Sequence, residues 1–178
     1  MDETALSGLL AKQEIGEVVL RYCRGVDRLD MDLVRGAYHP GGIDHHTGFD
    51  GPVEDFVAWV EPLLRTLGGT RHEVHNHLAE VVGDTAVAET YVTARHWTMP
   101  DAQLGRGAER ANFTTGVRYV DHLERRGGRW GIVERFAIRE WHRVDAAPTA
   151  GQGLPGPSGT RDRDDAVYAL RRRLFALP

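Results

Sequence analysis

Cysteine is almost missing from this chain of 178 residues. The single Cys23 excludes an internal disulfide and any zinc site made of several thiolates. Lysine is equally rare: of 22 basic residues only Lys12 is a lysine, which fits a high-GC coding bias and carries no functional message. Net charge is −4 and the pI about 6.1, so the basic footprint of a nucleic-acid binder is absent. No apolar run approaches the length that crosses a bilayer. The opening Met1-Asp2-Glu3-Thr4-Ala5-Leu6 lacks the basic stretch that precedes the apolar core of a signal peptide. A cytoplasmic protein is expected, with neither membrane nor nucleic acid as partner. Internal repeats, a glycine-rich phosphate loop after a strand, and a serine-centred nucleophile elbow are missing too.

What remains is ordinary globular material, 41% apolar and 27% charged, sufficient for one domain with a sizeable core. Periodicities of three and four predict a first helix over residues 3–28. A short second helix follows an Asp30 N-cap, holds Leu33, Val34, Ala37 and Tyr38, and is stopped by Pro40-Gly41-Gly42. A third opens at Gly51-Pro52 with the apolar face Phe56, Trp59, Val60, Leu63, Leu64 and Leu67, and ends at Gly68-Gly69. Between the second and third, residues 43–48 read as a short strand or loop carrying Asp44, His45 and His46. The period then changes to two, predicting antiparallel strands near 71–82, 85–98, 111–125 and 130–143, with hairpin turns at Gly83-Asp84 and Gly127-Gly128. A Gly-rich charged loop at 99–110 is of the kind that covers pockets. The fold class is therefore α+β, three helices on one face of a curved sheet. Residues 1–145 form the domain, and residues 146–178 a linker and a short basic helix as a C-terminal arm.

The first helix puts Ile15, Val18, Val19, Tyr22 and Val26 on one apolar face, and Asp27 follows at the helix end. A carboxylate so close to an apolar face needs a partner. The best one in the chain is His72, at the start of the first long strand. A neutral imidazole whose second nitrogen is held by a carboxylate can take a proton from carbon beside a carbonyl, and a Tyr hydroxyl or an Arg can stabilise the enolate. The bland alternative has Asp27 capping a turn and His72 filling a strand position.

Tyr22 and Asp27, Arg71-His72, the strand Thr115-Gly116-Val117-Arg118-Tyr119-Val120-Asp121 and the segment Gly128-Arg129-Trp130-Gly131-Ile132 together resemble the SnoaL-like, scytalone dehydratase-like branch of the nuclear-transport-factor-2-like superfamily. The resemblance covers about residues 5–144. It implies a cone of curved antiparallel sheet capped by helices, and a homo-oligomer, dimer or trimer. Its members include dehydratases, a dehydrochlorinase, ketosteroid isomerase, polyketide cyclases and proteins without known activity. Its dehydratase and dehydrochlorinase members use an Asp–His pair at the places of Asp27 and His72. It also implies pocket roles for Tyr22 and Arg135. Two positions depart from scytalone dehydratase: Val26 stands where that enzyme has a tyrosine, and its second pocket histidine has no assigned equivalent. Scytalone itself is not the expected substrate.

The resulting expectation is a lyase without cofactor that removes water or a similar leaving group from a small hydrophobic, polyketide-like or steroid-like substrate. His72 is the base, Asp27 its orienting partner, and Tyr22 and Arg135 the electrophilic help. Phe56, Trp59, Trp97, Phe113 and Trp141 are the expected pocket residues, with Val133, Arg135, Ala137 and Trp141 on one strand face. An isomerase or cyclase is the alternative, with Asp44 as a base in the isomerase manner. A non-catalytic binding or assembly subunit is another. Strand alternation puts His75 and His77 on one face and His72 on the other. With these and the His45-His46 pair no metal site is expected.

Overall fold

The apolar face Ile15, Val18, Val19, Tyr22 and Val26 lies buried along one helix, α1 (Glu3–Arg28), in the computed structural model, which describes residues 3–98, 111–146, 156–157 and 159–176. Burial of each such aliphatic side chain is worth about 1.5–3 kcal/mol. The helix stops because Leu29 turns left-handed, with φ of 53°, letting the Asp30 amide reach back to the Gly25 carbonyl at 2.9 Å. A leucine in that conformation costs about 1–2 kcal/mol, offset by the packing that follows. Asp30 caps α2 (Met31–Gly36), whose Val34 lies so near Gly25 that a Cβ there would meet it at 2.8 Å. Asp27 is thereby fixed on the last turn of α1.

The chain then enters β1 (Tyr38–His46) and β2 (Phe49–Pro52) before α3 (Val53–Arg65). Pro40-Gly41-Gly42, read from sequence as a helix stop, lies inside β1, and Tyr38 is a strand residue rather than a helical one. The strand survives its proline and glycines because its pairing with β6 is interrupted between Tyr38 and Ile43. Four long strands follow as expected, β3 (Leu67–Val82), β4 (Thr85–Thr98), β5 (Ala111–Arg126) and β6 (Arg129–Ala146), with Leu67 claimed by β3 rather than α3. The curved, unclosed sheet has six strands in the order β2-β1-β6-β5-β4-β3, parallel only between β1 and β6. α1 packs against β3 and β6 and α3 against β1, β2 and β3, in one core with Ala86, Ala88, Leu123, Trp130 and Ile132.

Bulges decide which side chains reach that face. Val74 pairs with Val92 but His77 with Thr90, so β3 carries one extra residue between them. That shift overturns the simple alternation: His72 and His77 face inward, His77 against Gly16 of α1, and the exposed His75 turns outward to Thr93. β6 is bulged between Ile132 and Glu134 and again between Arg139 and Trp141. The inward set is therefore Ile132, Arg135, Ala137, Arg139 and His142. Val133 and Trp141 do not share it, and Trp141 lies half-exposed over Gly116 on the outer face, where a Cβ would meet the indole at 2.0 Å.

The expected loop at 99–110 and most of the expected linker at 146–159 lie outside the described residues. The arm ends in α4 (Ala166–Phe175), capped by Asp165. Its anchor is Tyr168, buried with its hydroxyl donating to Asp30 at 2.8 Å. Leu170 and Leu174 of the same helix are exposed. Among the described residues no helix is long and apolar enough to cross a membrane.

Candidate active site

Asp27, on the last turn of α1, accepts three hydrogen bonds from β3: His72 Nδ1 at 2.7 Å and the Thr70 hydroxyl at 3.0 Å on one oxygen, the His72 amide at 3.0 Å on the other. Burial raises the pKa of this carboxyl, but the His72 hydrogen bond and charge, the amide and Thr70 more than offset it, so it sits below the ordinary value. The ionised carboxylate fixes the His72 proton on Nδ1 and leaves the Nε2 lone pair free.

His72 is in the wall of an inner cavity of about 110 Å³ between α3 and the sheet. Trp59, Leu63 and Phe113 supply apolar surface, and Tyr119, His46, His96 and Arg139 the polar groups. His96, from β4, stands edge-on to His72 with ring centres 6.1 Å apart, its Nδ1 donating to the Phe113 carbonyl at 3.2 Å. Burial, then the neighbouring His72 charge, pull its pKa down to about 4. It is a neutral pocket histidine that sequence reasoning missed. Finding it required knowing the bulge in β3, which sets His72 beside Ala94 and Thr70 beside His96. Arg139, with its guanidinium 5.6 Å from the Phe113 ring, was also missed, although it shares the strand parity of Arg135 and Ala137.

Arg135 and Tyr22 lie elsewhere. Neither lines the cavity. Arg135 is fully buried in a two-pronged pair with Asp121, 2.7 Å at each prong, between the rings of Tyr22 and Tyr119. Burial works against its charge, and Asp121 and the tyrosines more than restore it. Burial likewise pushes the Tyr22 phenol far up. Their place in the core follows from Asp121, a buried carboxylate that claims the nearest guanidinium. Of the expected pocket residues, Trp59 and Phe113 line the cavity. Phe56 packs behind it against Trp59 and Phe49, Trp97 covers Gly69, and Trp141 is on the outer face.

Asp44 is fully buried and off the cavity lining, accepting from the Tyr38 hydroxyl and from His46 Nδ1, the latter at 3.1 Å. His45 faces away, between Asp50 and Glu134. Burial pushes the Cys23 thiol up to about 12, leaving it unreactive. Among the described residues no three or more His, Cys, Asp or Glu side chains are grouped to hold a metal ion.

The arm braces this site from behind. Arg161 donates to the carbonyls of Leu64 at 2.8 Å, Leu67 at 3.0 Å and Asp27 at 3.4 Å, and to the Thr70 hydroxyl at 3.4 Å. Arg163 holds Asp30 at 3.2 Å, and Arg28 pairs with Asp165 at 3.2 Å.

The family model for the SnoaL-like domain matches residues 7–136, and the chain belongs to that family, within the nuclear-transport-factor-2-like superfamily. Several solved structures share the fold. A hexachlorocyclohexane dehydrochlorinase, LinA type 2, superposes with a TM-score of 0.70 at 16% identity, covering 84% of this chain and 99% of its own. A candidate scytalone dehydratase from Novosphingobium aromaticivorans gives 0.65 at 17%, covering 84% and 99%. The Kfla4162 protein of Kribbella flavida gives 0.64 at 20%, covering 74% and 91%. No curated protein sequence matches the chain.

Proposed function

We propose that the chain is a lyase working by proton abstraction from carbon, without a cofactor. His72 Nε2 takes a proton from carbon beside a carbonyl or a comparable electron-withdrawing group, and Asp27 holds the ring and stabilises the imidazolium. Water, or a similar leaving group, then departs from the neighbouring carbon. The observation that carries this reading is the 2.7 Å His72–Asp27 hydrogen bond in the wall of an apolar cavity. Arg139, rather than Arg135 or Tyr22, supplies positive charge for the developing enolate oxygen. At about 110 Å³ the cavity favours a compact single-ring substrate over the polycyclic one expected from sequence. The fold is also that of a dehydrochlorinase and a candidate dehydratase, which is consistent with elimination.

The test is elimination from cyclic β-hydroxy ketones, read as appearance of the enone absorbance. His72→Gln and Asp27→Asn should each slow it by about 10²–10⁴-fold. Undiminished turnover in His72→Gln ends the reading. Unchanged ligand affinity in Asp27→Asn, with no elimination by the parent protein, favours a binding subunit.

A further inference from the structure

The cavity has a second imidazole backed by a buried carboxylate. His46 comes from β1, next to one end of the sheet, and His72 from β3, the strand at the other end, and the curvature brings both to the same 110 Å³ space. The two are built alike. His46 Nδ1 meets Asp44 at 3.1 Å as His72 Nδ1 meets Asp27 at 2.7 Å, and in each case Nε2 is left over. Asp44, with no exposed surface, is tied on its other oxygen by the Tyr38 hydroxyl.

Charge accounting separates their roles. Among the described residues around Asp44 the core holds two fully buried carboxylates, Asp44 and Asp121, but only one fully buried cation, Arg135. Arg135 sits opposite Asp44 in the β1–β6 register, yet spends Nε and Nη2 on Asp121. Asp44 is left without a guanidinium, and its partners are the Tyr38 hydroxyl and the His46 imidazole, the group through which a proton can pass to the cavity. The other imidazoles nearby do not fit this part. His96 is kept neutral by burial, and His45 lies outside the inner cavity. His46 also borders a wider surface groove of about 590 Å³ over residues 45–50, through which water can return a proton to it.

We propose that His46 is the general acid of this site, facing the His72 base, and that the natural substrate class is a compact ring ketone with a poor leaving group, hydroxyl, β to the carbonyl. The inference rests on the function proposed above. In the step, the proton on the carbon beside the carbonyl moves to His72 Nε2 and its electron pair forms the enolate. The enolate reforms the carbonyl and the new double bond as the β carbon–oxygen bond breaks. The departing oxygen takes the proton from His46 Nε2 and leaves as water. One hydroxy ketone gives one enone and one water, and both histidines re-equilibrate with solvent.

An acid is needed for hydroxide but hardly for a good leaving group, so the test compares two probes, β-hydroxycyclohexanone and β-acetoxycyclohexanone. In His46→Gln, loss of water should fall by about 10²–10⁴-fold while loss of acetate falls by less than about tenfold. A merely structural effect would lower both alike. In His72→Gln both reactions should fall together. Equal losses, or none, in His46→Gln overturn the acid role and leave the base role standing. Retained turnover in His72→Gln, or a parent protein inert to both probes, removes the base reading and this inference with it. Circular dichroism and thermal melts of each variant establish that it is folded.

Discussion

At the residue scale, the Asp27–His72 pair was legible because both ends sit beside regular elements: one closes an amphipathic helix, the other starts a long strand. Arg135 was misread because the sequence gives no sign that Asp121 would be buried beneath it. Replacing Arg135 with Met should cost about 3–5 kcal/mol by leaving that carboxylate unpaired, measurable by urea unfolding. Acid should unsettle the protein in two stages. The folded pKa of His96 is about 4, below its unfolded value near 6.5. Between those values the unfolded chain binds the extra proton, so stability falls as pH falls, by up to about 1.4 kcal/mol per unit. Below pH 3.8 the depressed Asp27 carboxyl adds its own loss, since its stabilisation exists above the unfolded pKa and fades through the lower folded one. Urea midpoints measured from pH 7 to 4 should show the slope, and His96→Gln should flatten it.

At the scale of elements, period and turn chemistry were enough for the three helices before the long strands and for the four strands themselves. They failed wherever one residue is inserted into a ladder. Alternation assumes an unbroken count, and the bulges in β3 and β6 reset it, moving His77 inward and Trp141 outward. A bulge has no composition of its own, which is why His96 could not be matched to His72 beforehand. Deleting Asn76 should remove the bulge and leave His72 and His77 four residues apart, so both stay on the inner face by simple alternation. Retention of elimination and of the low-field Nδ1 proton signal of His72 in NMR would check it. The arm is equally testable. Arg161→Ala should cost about 1.5–3 kcal/mol, the worth of charged hydrogen bonds left unmade, and should weaken the same proton signal. A variant in which the signal and stability are unchanged would mean that Arg161 does not brace the site.

At the scale of the whole molecule, the sheet divides the chain into a chemical side and a social side. The concave face holds His46, His72 and His96. The outer face shows Phe136, Ile138 and Trp141, all between 38% and 48% exposed. A second copy of the chain is the occupant the family resemblance leads us to expect there. Sedimentation equilibrium should report a dimer or trimer, and Ile138→Glu should shift it toward monomer at the same concentration. A parent protein that sediments as a monomer would refute this.

Chain order adds a constraint of its own. Asp27 emerges from the ribosome 134 residues before Arg161, the side chain that anchors the turn around it. At ordinary rates of synthesis that interval is roughly 7–27 s. Late in that time the strands have been made but the helix bearing the carboxylate still lacks its brace, so a nascent chain holds the parts of the site without their final alignment. Synthesis of the segment that carries Arg161, rather than folding of the first half of the domain, is the event that assembles the working arrangement.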